Sequence, residues 1–350
     1  MGETHVIGCI LGVAVGDAIG LPYEGLTSRR ARLILGEPDR HRFLLGRGMF
    51  SDDTEHTCFV AQSLLSSRGD GERFARSLGW KLRLWLLGVP AGVGFATLRA
   101  TLRLWLGFSP RRSGVRSAGN GPAMRSAVIG AVAANRQDLR ELVRASTVIT
   151  HTDPRAEQAA FAVALAAHLA RDGDRVPPNE YVFELSASFD DEAEELIELV
   201  SRAAASAGKG EPTKEFSQSL ASTDRVSRYC LHCVAVALHA WFRYPGDFRT
   251  AVIEVIRCGG DTDTTAAIAG GIIGCEVGQE GIPVDWLDGI HDWPRSVSWL
   301  CRLGSRLHHS MEGPVAGRPM PLHSWALPFR NLLFLLTVLF HGFRRLLPPY

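Results

Sequence analysis

The sequence predicts an all-α fold, and three observations carry that expectation. Apolar residues recur at helical spacing, most clearly from Phe161 to Leu169 and from Val234 to Phe242. Strand-like alternation is scarce. Glycines gather at segment ends and in short turns, where they punctuate helices. The helical pattern spans residues 5 to about 305 and reads as one domain, residues 1–308, followed by a tail, residues 309–350.

The chain has 350 residues, 46% hydrophobic and 21% charged, which suits a globular protein with a substantial core. Net charge is +1, and the arginines are scattered, so the sequence argues against a general nucleic-acid binder. The seven cysteines lie mainly in apolar stretches and read as buried thiols of a reducing compartment. The N-terminus opens on a helical pattern with no basic leader, so the expected location is cytoplasmic.

Residues 177–224 form a polar, acidic interval. Its middle, 190–205, reads as a surface helix, and 208–223 as a loop. Residues 313–328 are rich in Pro and Gly and read as a linker. The apolar run 332–340 is too short for a transmembrane segment, which needs ~20 residues. It is expected to dock on the domain, on a partner or on a membrane surface.

Two oxygen-rich clusters stand out. Ser51-Asp52-Asp53-Thr54 follows Gly48-Met49-Phe50, and Asp261-Thr262-Asp263-Thr264-Thr265 follows Gly259-Gly260. Each leads into an apolar helix. Helix capping accounts for one acid in each, and Asp52 with Glu55 has capping-box spacing. It does not account for paired carboxylates with hydroxyls, twice. Neighbouring carboxylates repel unless a cation neutralises them, and hard divalent ions take oxygen ligands.

Three further segments accompany them. Residues 12–20 read as a closely packed helix with a Gly/Ala face, ending in Leu21-Pro22-Tyr23-Glu24-Gly25. Gly119-Asn120-Gly121 is a turn opening a helix, whose backbone N–H groups suit a phosphate. His151-Thr152-Asp153-Pro154-Arg155 reads as a loop entering a helix.

In this order, the five segments resemble the ADP-ribosylglycohydrolase family, over roughly residues 6–293. The resemblance implies a compact orthogonal helical bundle with a binuclear Mg²⁺ or Mn²⁺ centre in a cleft. It implies that Ser51, Asp52, Asp53, Asp261, Asp263 and Thr264 hold the two divalent cations. Glu24, with Asp52 and Asp53, falls at catalytic positions. Gly119, Asn120 and Gly121 fall where the family holds the diphosphate, with His151 and Tyr229 beside the substrate. Arg228 stands where a glycine is usual.

The expected activity is cleavage of the C1″ glycosidic bond of ADP-ribose on a protein side chain, with arginine the first choice of acceptor. Glu24 is the expected general acid or base. An immunity-type hydrolase that counters an ADP-ribosylating toxin, or a non-catalytic ADP-ribose binder, are the alternatives. Cys230 and Cys233 have metal-ligand spacing but no second pair, and read as buried thiols. Trp80, Trp85 and Trp105 read as core or cleft-wall residues.

Overall fold

The computed structural model describes residues 2–189, 191–220, 225–313 and 316–348. These residues form helices joined by turns and isolated backbone bridges, with no sheet among them. Nine helices position the site: α1 (Glu3–Gly20), α2 (Asp52–Ser67), α3 (Gly71–Leu87), α4 (Phe95–Trp105), α5 (Pro154–Ala170), α6 (Cys230–Arg243), α7 (Thr262–Val277), α8 (Val297–Glu312) and α9 (Leu327–Arg344).

The centre is an antiparallel pair, α1 and α7. Every residue from Val6 to Gly20 and from Thr262 to Glu276 is buried. Gly8, Gly12, Gly16 and Gly20 repeat every four residues, so they share one face of α1. They meet Gly274, Gly270, Ala266 and Thr262 in turn. A Cβ on Gly12 would sit 2.0 Å from the Gly270 carbonyl oxygen, and one on Gly270 would sit 2.2 Å from that of Gly12. The two backbones therefore touch along the whole seam, which only glycine permits. Thr262 closes it by donating its hydroxyl to the Gly20 carbonyl at 2.9 Å. Because the pair is antiparallel, the end of α1 lies against the start of α7, which sets Asp17 and Glu24 beside Asp261 and Asp263.

The structure revises the expected loop at 208–223. Thr213–Leu220 is helical. Its polar sequence conceals one buried aromatic, Phe216, stacked on His239 of α6 at 4.6 Å. Residues 221–223 lie outside the described residues. The acidic surface helix forms at Glu194–Gly208. Helix α8 runs through position 308 to Glu312.

The tail is also revised. With the turn Ser324–Ala326, α9 makes a helical segment of 21 residues, long and apolar enough to cross a bilayer by length and composition. The sequence run looked shorter because Arg330 and Asn331 precede it and His341 follows it, with Thr337 in its middle. Those residues are buried on the face that packs on the domain. Arg330 pairs with Asp292 at 2.6 Å and donates to the Phe50 carbonyl. Asn331 donates to the Gly88 carbonyl at 2.6 Å, and His341 Nε2 lies 2.7 Å from the Phe43 carbonyl.

Candidate active site

The two oxygen clusters converge. Ser51 caps α2, its hydroxyl accepting from the Asp53 N–H at 3.2 Å and donating to Asp53 Oδ2 at 3.0 Å. Thr264, from the first turn of α7, donates to the same Oδ2 at 3.3 Å. Asp53 is thus the point where the clusters meet. Carboxylate oxygens of Glu24, Asp261 and Asp263 lie within 4.8 Å of one another. The cleft above them, about 300 Å³, is lined by Glu24, Ser51, Asp52, Asp261, Asp263 and Thr264. Asn120, Gly119, Gly121 and His151 form another part of its wall.

Capping does not explain these acids. Asp261 precedes α7 but makes no side-chain cap bond. Its carboxylate instead accepts from Asn120 Nδ2 at 2.6 Å and faces Arg228 Nε at 3.6 Å. Nor does Glu55 close a capping box. Its carboxylate accepts from Trp85 Nε1 at 2.6 Å and from Arg295 at 2.5 Å, in the core behind the cleft.

The electrostatics are those of unneutralised negative charge. Desolvation, with the charge of Asp17 added, pushes Asp52 up to about 8. Burial raises Asp17 and Asp261 to about 6. Asp53 and Asp263 are raised well above the carboxylate range by burial and by their acidic neighbours. Buried Asp53 Oδ1 and Asp263 Oδ1 have no hydrogen-bond partner. Orphaned carboxylate oxygens are costly in a buried site, and a cation would satisfy them. The residues present therefore fit a divalent cation, held by oxygen ligands alone.

Asp17 escaped the sequence reading. It lies under the start of α2, accepting from the Ser51 N–H at 2.9 Å, the Thr54 N–H at 3.2 Å and the Thr54 hydroxyl at 2.6 Å. It fixes the orientation of the Ser51-Asp52-Asp53 turn. A lone Asp within a Gly/Ala helix was the available signal, since a buried acid demands donors.

The remaining candidates divide. His151 is buried, with Nδ1 2.9 Å from the Thr150 hydroxyl. Burial lowers it to about 3, so the ring is neutral at pH 7. A Cβ on Gly119 or Gly121 would come within 3.2 or 3.1 Å of the His151 ring, so the two glycines admit it to the turn. Tyr229 is not among the residues lining the cleft: its hydroxyl donates to Glu195 at 2.7 Å and its ring meets His232 at 5.1 Å. Its neighbour Arg228 does line the cleft, paired with Glu24. Helix α9 supplies a wall that the sequence did not announce, through Phe334 and Val338.

Fold and site together define an all-helical protein with an acidic cleft suited to divalent cations. A family model described as ADP-ribosylglycohydrolase matches residues 3–316, and the chain belongs to that family of enzymes that hydrolyse the glycosidic bond of ADP-ribose. It is 32% identical to an uncharacterised protein of Archaeoglobus fulgidus, over 83% of this chain and 92% of that one. It is 27% identical to the ADP-ribosyl-[dinitrogen reductase] glycohydrolase of Rhodospirillum rubrum, over 81% of this chain and 90% of the other. It is also 27% identical to the ADP-ribosylhydrolase ARH3 of Gallus gallus, over 80% and 87%. A solved ADP-ribosylglycohydrolase-related protein complex superimposes with a TM-score of 0.66 at 25% identity, covering 88% of this chain and 98% of its own.

Proposed function

We propose that this chain is a divalent-cation-dependent hydrolase that removes ADP-ribose from a protein side chain, with arginine as the acceptor. The observation that carries the cation dependence is the cluster of Glu24, Asp261 and Asp263, whose oxygens lie within 4.8 Å, beside the orphaned Oδ1 atoms of Asp53 and Asp263. Ser51, Asp52, Asp53, Asp261, Asp263 and Thr264 would hold two cations, Mg²⁺ or Mn²⁺. When bound, such cations supply Lewis acidity and anchor the hydroxyls of the distal ribose.

The chain's own groups do the rest. Asn120 fixes the Asp261 carboxylate. Asp17 fixes the turn that carries Asp52 and Asp53. Glu24, at the cleft wall and paired with Arg228, would move a proton to or from the acceptor nitrogen. Positive charge developing at C1″ is stabilised by the surrounding carboxylates.

The test offers arginine-linked and serine-linked ADP-ribose to the purified chain with Mg²⁺, with Mn²⁺ and with chelator, reading free ADP-ribose. Cation-dependent release from the arginine-linked substrate is expected. Asp263→Ala should lower it by about a thousandfold. Equal release in chelator would remove the cations from the mechanism, and preference for the serine-linked substrate would reassign the acceptor.

A further inference from the structure

Helix α9 is built inside out. Its buried face carries Arg330, Asn331, Thr337 and His341 beside Phe334. Its exposed face carries Phe329, Leu332, Leu336, Leu339, Phe340 and Phe343, each between 47% and 70% exposed. Their spacing of three, four, three, one and three residues draws a single stripe along the helix. The hydrophobic effect alone would turn such a helix over. The orientation is held by specific polar bonds to Asp292, Phe50, Gly88 and Phe43.

The stripe is part of a wider surface. Asn331 bonds to Gly88, at the end of α3, and Leu84 and Leu87 share a groove with Leu327 and Pro328. Val89, in the turn from α3 to α4, and Phe95, which opens α4, are 75% and 86% exposed. On the other side, Phe43 stacks on His341, and the turn that follows it presents Leu45 at its tip, 98% exposed. Three apolar tips thus flank an apolar helix face.

The charge of these segments has one sign. Arg47, Arg99 and Arg344, in the segments that carry the tips and the stripe, are exposed, and residues 313–350 contain no Asp or Glu. Pairing of this face with its copy about a two-fold axis would bring like charges together. An anionic surface meets both the charge and the apolar stripe. We infer that α9, with the tips at Leu45, Val89 and Phe95, docks this enzyme on the surface of an anionic lipid bilayer, the helix lying in the interface plane. Because the inner face of α9 walls the cleft, docking holds the cleft beside the membrane. The buried bonds of Arg330 and His341 favour lying on the bilayer over crossing it, since crossing would strip both of their partners.

The test is flotation of the full-length chain with vesicles of phosphatidylcholine alone, or of about three parts phosphatidylcholine to one of phosphatidylglycerol. Binding to the anionic vesicles is expected, at least about tenfold above the neutral ones and weakened by salt. Leu336→Glu with Phe340→Glu should abolish it while leaving helix content unchanged. If that double variant misfolds, Val89→Glu with Arg344→Glu makes the same comparison on other elements. Failure to float with either vesicle overturns the inference. So does equal binding to both with resistance to alkaline extraction, which assigns a spanning helix. A dimer in sedimentation that the double variant dissociates assigns the face to a second copy instead. None of these readouts depends on the acceptor or the cations of the enzyme.

Discussion

Two segments of this chain share a length of 21 residues and a strongly apolar composition, yet they meet opposite fates. Glu3–Tyr23 is wholly buried from Val6 onward, and Ser324–Arg344 is mostly exposed. The first repeats glycine every four residues and so offers a flat groove to a second helix with the matching pattern. The second carries Leu and Phe on the corresponding stripe and polar groups opposite. Apolar content therefore does not decide burial. Shape complementarity buries the first, and a handful of polar bonds fixes the second against its hydrophobic preference.

The sharpest way to break this contrast is to fill the groove. Gly12→Leu places a side chain where the Gly270 backbone stands, and neither helix can retreat without opening the whole seam. The cost is expected to exceed about 4 kcal/mol, a large share of a domain's stability. Denaturant titration measures it. A Gly12→Ala chain with an unchanged midpoint would show that the helices are not in backbone contact. The equivalent enlargement on α9, Leu339→Phe, faces outward and should change stability by less than about 0.5 kcal/mol.

Charge, not volume, is the weak point of α9. Arg330→Met leaves Asp292 buried with its ion-pair partner gone. Removing one partner of a buried pair costs about 3–5 kcal/mol. Most of that loss should appear as release of α9, seen as faster amide exchange from 327 to 344, with α1 still protected. Exchange that rises equally in both helices would contradict the separation drawn between them. Arg330→Met combined with Asp292→Leu should recover part of the loss, because neither charge is then stranded.

What the sequence revealed follows the same division. The acid clusters were legible because paired carboxylates with hydroxyls at a helix start, found twice, have no ordinary structural use. The seam of α1 was legible as a Gly/Ala face, although its partner was not. Asp17 was hidden because its donors come from residues 51 and 54, far along the chain. The spacing of Asp52 and Glu55 suggested a capping box, but Ser51 is the N-cap, so Glu55 falls one position too far into the helix and accepts from Arg295 and Trp85 instead. Trp85 lies in the core as expected, whereas Trp80 and Trp105 are 57% and 44% exposed. Helical spacing identifies a face but not which face turns inward. That choice at α9 is made by Asp292 and three backbone carbonyls, none of which lies nearby in sequence.

Two histidines make the smallest and finest comparison between core and tail. His239 is buried on α6, held between the Ser206 hydroxyl at 3.2 Å and the Thr213 hydroxyl at 3.0 Å. Burial lowers it to about 4. His341, on the inner face of α9, is also lowered by burial, but its bond to the Phe43 carbonyl pulls the other way. A histidine with a depressed folded pKa binds its proton more readily in the unfolded chain. Its contribution is therefore complete above about pH 6.5 and is lost as pH falls toward the folded value. For His239 the window is pH 6.5 to 4, and the loss approaches about 3 kcal/mol at its lower end. Gln keeps a donor and an acceptor but does not titrate, so His239→Gln should flatten the stability profile across that window. His341→Gln should flatten it less. Parallel profiles for wild type and His239→Gln, measured by urea unfolding at closely spaced pH values, would mean that burial on α6 does not depress the folded pKa of His239, and would remove the contrast with His341.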